Sequence, residues 1–246
     1  MENPKFFGRR KGRKIRKAKT ALLEQFLPQI SIDDKQIIND EIFGVKVTKL
    51  SLEIGFGGGE HLAGVALANP HTGYIGAEVF QNGVANLLSL LTGIKQNSQV
   101  VEDIKLLPER QDNIRVFGDD VRLLFDRLQD ACLDEVFLLF PDPWPKKRHS
   151  ARRFVNPDNL ASLARIIKPQ GRLLIATDHP VYKPWVLDNM RGNEYFVWTA
   201  QTSQDWRNPP ADWVETKYQR KALREGRRPV FFEYRRTDKI IKEAKK

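Results

Sequence analysis

The chain has 246 residues, 41% of them hydrophobic, with a formal net charge of +10, which suits one large domain or two small ones with a sizeable core. Cys132 is its only cysteine, which excludes a disulfide framework and a cysteine-based zinc site and makes a reducing, cytoplasmic setting the expectation. No apolar run approaches the roughly 20 residues of a membrane span.

Residues 1–20 carry nine Lys/Arg and a single acid, Glu2. They lack the apolar content to fold alone, and the expectation is a basic flexible arm followed by one domain over residues 21–246. No apolar stretch follows the arm, so a secretory signal is not expected. From there strand-like and helix-like runs alternate. "VTKLSLEI" (47–54) reads as a strand and "GGEHLAGVALAN" as a turn into a helix. "TGYIGAEV" (72–79) and "NGVANLLSLL" repeat the pattern. "NIRVF" (113–117) is a third strand, followed by helical "VRLLFDRLQ". "DEVFLLF" (134–140) and "GRLLIAT" (171–177) are the fourth and fifth. "YFVWTA" and "RPVFFEYRR" read as a late pair of strands. Residues 217–246 are again basic, with twelve Lys/Arg against four acids. Two such clusters favour a polyanionic partner.

The alternation predicts an α/β fold, a mostly parallel sheet covered on both faces. Ligands in such folds bind beyond the carboxyl ends of the strands. Glu53, Glu78, Asp142 and Asp178 fall at strand ends, and Asp119 lies just past the third strand. After the first strand, "LEIGFGGGEHL" puts glycines at 55, 57, 58 and 59, a turn that lets a ligand approach the backbone. A dinucleotide fingerprint from Gly55 requires a third glycine at position 60, which is Glu60. An acid at the helix start also repels a pyrophosphate. A nucleoside cofactor without phosphates and with positive charge, such as S-adenosylmethionine, suits these carboxylates better. Glu78 is placed to accept both hydroxyls of a ribose. Asp119 either meets the adenine edge or caps the next helix.

The stretch "EVFLLFPDPWPKKRHSARRF" (135–154) ends an apolar strand on Asp142, held between Pro141 and Pro143, and then presents Lys146, Lys147, Arg148, His149, Arg152 and Arg153. Prolines stiffen the backbone around the carboxylate, and the cations suit a phosphate backbone. Trp144 either stacks on a base or anchors the loop. The four histidines show no metal-binding spacing, so no metal is expected.

With these motifs in this order, "LEIGFGGG", "YIGAEVF", "LLFPDPWPKKRH", "ATDHPVY" and "ETKYQRKALREGRR", the chain resembles the bacterial tRNA (guanine-N7)-methyltransferases over roughly residues 45 to 235. The resemblance implies a Rossmann-like methyltransferase fold with seven strands, one of them antiparallel. It implies S-adenosylmethionine as cofactor and tRNA as partner, with methylation of a guanosine at position 46 in the variable loop. By motif, Glu53, Gly55, Gly57, Glu78, Asp119 and Asp142 would bind the cofactor, and Asp142 would be catalytic. Lys146 and Asp178 would contact substrate, together with Thr216, Lys217, Tyr218 and Gln219. Arg148, His149, Arg152 and Arg153 would meet RNA. The family's T-K-F-E motif departs here at Tyr218 and Gln219. An amide oxygen can accept a bond from a guanine N–H, though less strongly than a carboxylate. Rival readings are a methyltransferase of another nucleic-acid atom, a non-catalytic RNA-binding protein on the same scaffold, and a nicotinamide dehydrogenase, which Glu60 disfavours.

Overall fold

The computed structural model describes residues 6–33, 38–95, 97–98 and 103–239. One sheet is built from β1 (Lys49–Ile54), β2 (Thr72–Ala77), β3 (Ile114–Phe117), β4 (Leu133–Leu139), β5 (Ile167–Thr177), β6 (Phe196–Trp198) and β7 (Val230–Arg236). The spatial order is β3-β2-β1-β4-β5-β7-β6. β1 pairs in parallel with β2 and β4, β2 with β3, and β4 with β5, while β7 runs antiparallel to both β5 and β6. The seven expected strands are all present, and the late pair supplies the one antiparallel strand.

Helices cover both faces. α1 (Lys17–Ala21) runs through a π-helical turn (Leu22–Phe26) into α2 (Leu27–Ile30). α3 (Glu60–Ala68), α4 (Gln81–Thr92) and α5 (Arg122–Phe125) follow the first three strands. α6 (Pro157–Ile166), α7 (Tyr182–Met190), α8 (Gln204–Arg207) and α9 (Lys217–Arg224) complete the set. Successive residues of a strand point to opposite faces. Val136, Leu138, Leu173 and Ile175 therefore enter one core with Leu160 and Leu163 of α6 and Val186 of α7. Phe137, Leu139, Leu174 and Ala176 enter the other with Leu62 of α3 and Leu87 of α4. Burial on both faces is why "VFLLF" is apolar without alternation.

The position 20/21 boundary lies within the helical stretch that starts at Lys17, where Ala18 is buried. Ahead of it, residues 6–16 run without helix or strand along the start of α4. The Gln81 amide donates to the Arg10 carbonyl, the Gly12 amide to Asn82 Oδ1, and Asn82 Nδ2 to the Arg13 carbonyl. Lys19 Nζ reaches Asn86 Oδ1.

Candidate active site

The carboxyl ends of β1, β2 and β4 frame a cavity of about 620 Å³ lined by Gly55, Gly57, Glu78, Asp119, Asp142, Trp144 and Tyr218 among others. The glycine turn makes the approach possible. Gly57 has φ +57°, and a Cβ there would stand 2.9 Å from the Tyr218 ring. Gly83 on α4 lies so close to the turn that a Cβ would meet the Gly57 carbonyl oxygen at 2.0 Å. The backbone contact excludes a side chain at Gly83, and the positive φ strains one at Gly57.

Glu78 is buried at the rim, where one carboxylate oxygen accepts from the Gly57 amide at 2.7 Å and the other from the Phe80 amide at 2.8 Å. Burial pushes its carboxyl above the usual range, the Phe80, Gly57 and Val79 amides pull it partly back, and Asp142 adds to the rise. A carboxylate has about four acceptor positions, so two bonds to backbone leave room for a pair of hydroxyls.

Of the neighbouring acids Asp119 and Asp120, the second holds the start of the next helix. Asp120 Oδ1 accepts from the Arg122 amide and pairs with its guanidinium, closing the turn into α5. Asp119 faces the cavity and accepts from Arg10 Nη2 at 2.7 Å and from the Asp120 amide. Burial pushes the Asp119 carboxyl up, but Arg10 and the Asp120 amide outweigh it and hold it below the ordinary value.

Glu53 does not line this cavity. It is 2% exposed and bonds His61 Nδ1 at 2.9 Å, and the imidazole packs against Phe137 and Trp213. Glu53 lies within β1, opposite Gly76 and Phe137, and faces α3. Glu78 lies one residue past β2, free of strand alternation. Position relative to the strand end separates the two acids.

Asp142 is exposed at the cavity mouth, on a loop whose backbone is unusual. Phe140 and Trp144 both take left-handed conformations, at φ +51° and +40°. For residues with large side chains this costs of order 1–2 kcal/mol each. Arg153 holds the loop in this shape. Expected at the RNA surface, it is instead 5% exposed. Its Nε donates to the Pro143 carbonyl and its Nη2 to the Trp144 carbonyl, each at 3.0 Å, and its guanidinium lies 4.4 Å from the Trp185 ring centre. The other basic residues of the segment are less buried. Residues Lys147–Arg152 form a 3-10 turn with Lys146 at its N-cap, leaving Lys146 and Arg148 exposed. Arg152 bridges the Trp144 and Phe7 rings at 5.0 and 4.5 Å, and His149 meets Trp144 edge-on. Trp144 is thus half-buried at the cavity wall, outside the core.

The T-K-Y-Q motif starts α9. Thr216 is its N-cap, with Oγ1 accepting from the Gln219 amide at 3.0 Å. Thr-x-x-Gln is the sequence of a capping box, a signal that could have located this helix in advance. The Gln219 side chain does not reach back to Thr216. It is buried and its carbonyl oxygen accepts from Trp213 Nε1. Indole N–H only donates, so this bond fixes which end of the amide faces Trp213. Thr216 and Gln219 therefore build the helix start, while Lys217 and Tyr218 face outward beside the glycine turn. Tyr218 stacks near Phe140, and burial with Glu78, Asp142 and Glu60 nearby pushes its phenol above the ordinary value. Asp178 follows β5 outside the cavity lining and accepts from Arg227 Nε at 2.6 Å.

The donor set fits a nucleoside cofactor with positive charge: Glu78, Asp119 and Asp142 at the rim and glycine backbone at the floor. Among the described residues no group of three or more His, Cys, Asp or Glu could hold a metal ion, and no helix is long and apolar enough to cross a membrane.

A sheet of this order, with its antiparallel strand next to the last, and a cavity walled by acids at the carboxyl edge define a Rossmann-like methyltransferase. The family described as "Putative methyltransferase" matches residues 47–231. A tRNA (guanine-N(7)-)-methyltransferase of Rhodospirillum rubrum is 41% identical over 243 residues, covering 96% of this chain and 89% of its own. One from Paramagnetospirillum magneticum is 43% identical over 239 residues, covering 96% and 94%. The solved 16S rRNA methyltransferase KamB aligns over 78% of this chain and 89% of its own, at 14% identity and a TM-score of 0.49. The chain belongs to the tRNA (guanine-N7)-methyltransferase family.

Proposed function

We propose that this protein methylates N7 of the guanosine at position 46, in the variable loop of tRNA, and that Asp142 is its catalytic residue. The supporting observation is the convergence of Glu78, Asp119, Asp142 and Tyr218 on one cavity beside the glycine turn, with basic residues at its mouth. S-adenosylmethionine, when bound, supplies an electrophilic methyl group on a sulfonium. Gly55 and Gly57 would pass its backbone-facing side, Glu78 would accept its ribose hydroxyls and Asp119 its adenine edge. Glu53 would act at one remove, through His61.

Guanine N7 carries an in-plane lone pair and no proton, so the chain need supply no general base. Its residues must align two reactants and favour the positive charge that develops on the purine. The Asp142 carboxylate, exposed at the mouth on a stiffened loop, can do both. Lys146, Asp178, Lys217 and Tyr218 would hold the guanine, with Thr216 and Gln219 shaping the helix that presents the last two. Arg148, His149 and Arg152 would meet the phosphates, which position an RNA without reading it. A loop guanosine exposes its reactive edge at less cost than a stacked duplex base. A cytoplasmic site of action is part of this reading, supported by the tRNA substrate and the lone cysteine.

Incubation with methyl-labelled cofactor and unmodified tRNA, followed by mapping of the label, tests it. Label on N7 of guanosine 46 is expected. Label on an exocyclic amine or on another nucleotide refutes the assignment, and no label supports a non-catalytic RNA-binding protein.

A further inference from the structure

Arg227 occupies a position that the reaction as described does not use. α9 ends in a glycine turn: Gly226 has φ +72°, its amide donates to the Leu223 carbonyl at 3.0 Å, and the Arg227 amide donates to Ala222 at 2.9 Å. These paired bonds are the Schellman arrangement, which sets the direction of the residue after the glycine. Arg227 is thereby aimed at the end of β5, where its Nε donates to Asp178 Oδ2 at 2.6 Å. Its Nη1 bonds Glu225. Lys183 of α7 donates to the Arg228 carbonyl at 2.6 Å, so the turn is tied down from the other side as well. α9 is therefore flanked by two contacts: Tyr218 beside the glycine turn at its start, and Arg227 on Asp178 just past its finish.

We propose that Arg227 is a positioning residue for guanine recognition, holding Asp178 Oδ2 so that Oδ1 is presented to the N–H donors of the purine. This rests on the reading of Asp178 as a guanine contact. A carboxylate one residue beyond a strand end has free rotation about two side-chain bonds, and a donor on one oxygen removes most of it. The Asp178 side chain is 16% exposed, so one face remains open to a ligand. The competing role for Arg227 is a direct contact to a tRNA phosphate, since it is 38% exposed.

The two roles make opposite demands on substitutions. In Arg227→Gln the side-chain nitrogen is attached to Cδ, as Nε is in arginine, so the donor to Asp178 survives while the charge is lost. In Arg227→Lys an apolar methylene takes that position and the charge survives. Steady-state methyl transfer to tRNA is measured for these variants, for Arg227→Ala, for Asp178→Asn and for the Arg227→Ala/Asp178→Asn pair, at several salt concentrations. Arg227→Ala is expected to lower kcat/KM for tRNA about tenfold, the low end of what a charged hydrogen bond supplies. Arg227→Gln should recover most of that loss and Arg227→Lys little of it. In the Asp178→Asn background, Arg227→Ala should cost less than about twofold, because coupled residues are not additive. Recovery by lysine but not glutamine, with a salt slope shallower by about one, would make Arg227 a phosphate contact and overturn the proposal. An equal Arg227→Ala loss in both backgrounds would overturn it too. If Asp178→Asn alone leaves kcat/KM intact, the guanine reading of Asp178 falls first and the role of Arg227 with it.

Discussion

Arg153→Ala separates the loop clamp from the RNA surface. The wild-type guanidinium makes two bonds to loop carbonyls at 3.0 Å and sits 4.4 Å from the centre of the Trp185 ring. Each bond to a charged group is worth about 1.5 kcal/mol at the low end. The contact with the ring adds about 1 kcal/mol. Keeping a guanidinium out of water offsets part of this, which leaves a net loss of about 2–3 kcal/mol. For a domain of this size each kcal/mol lowers Tm by roughly 2–4 °C, so the variant should melt about 4–12 °C below wild type. The larger effect falls on catalysis. Once the clamp is gone, the left-handed backbone at Phe140 and Trp144 relaxes and Asp142 moves with it. A displacement of about 1 Å can cost on the order of 100-fold in rate. Denaturant titration and single-turnover methyl transfer at saturating cofactor and tRNA, well below Tm, read both quantities. Arg148→Ala is the control: exposed, it should weaken tRNA binding and leave stability alone. If Arg153→Ala keeps wild-type stability and single-turnover rate but loses tRNA affinity and salt slope, Arg153 is an RNA contact and the clamp argument is refuted.

Asp142→Asn should cut the rate of methyl transfer by about 100-fold, the size of a lost electrostatic contact to a developing charge, with tRNA binding by filter retention unchanged; normal turnover would remove Asp142 from its role. Glu78 titrates above its ordinary value because it is buried, so the folded chain holds that proton more tightly than the unfolded one. Its contribution to stability is full below pH 4.5 and is lost as pH rises through the raised pKa. The Tm difference between Glu78→Gln and wild type should therefore shift in favour of the variant across that window, while cofactor affinity by calorimetry rises there for wild type only. A flat difference would contradict the burial effect. Deleting residues 1–16, which stops short of α1, removes seven Lys/Arg. It should weaken tRNA binding and flatten its salt dependence, each lost phosphate contact lowering the slope by about 0.7–0.9; an unchanged slope would demote the segment to packing against α4.

The strands were readable because a strand buried on both faces reads as a near-continuous apolar run, as "VFLLF" (136–140) and "LLIA" (173–176) do. The glycine turn was readable because left-handed backbone strains any residue with a side chain, and Gly55, Gly57 and Gly59 all take it. Strand ends carrying acids could be found by counting. Burial of a cation and the partner of a carboxylate could not. In "KKRHSARR" the arginines at 148, 152 and 153 are chemically alike, yet Arg148 is exposed, Arg152 lies between the Trp144 and Phe7 rings, and Arg153 turns inward onto the Pro143 and Trp144 carbonyls. Glu53 and Glu78 are the same residue at neighbouring strand ends, but one belongs to a strand face covered by α3 and the other stands past the pairing. The start of α9 was written in its capping box, yet its contacts with Gly57 at one end and Asp178 at the other join residues more than 40 positions apart. Sequence by itself determined the class of fold, because alternating local patterns set it, and it carried the ordered motifs through which the chain resembles its family. Only the tertiary structure decided which acids and cations face the cavity and which hold it in shape, because that depends on what each side chain meets across the fold.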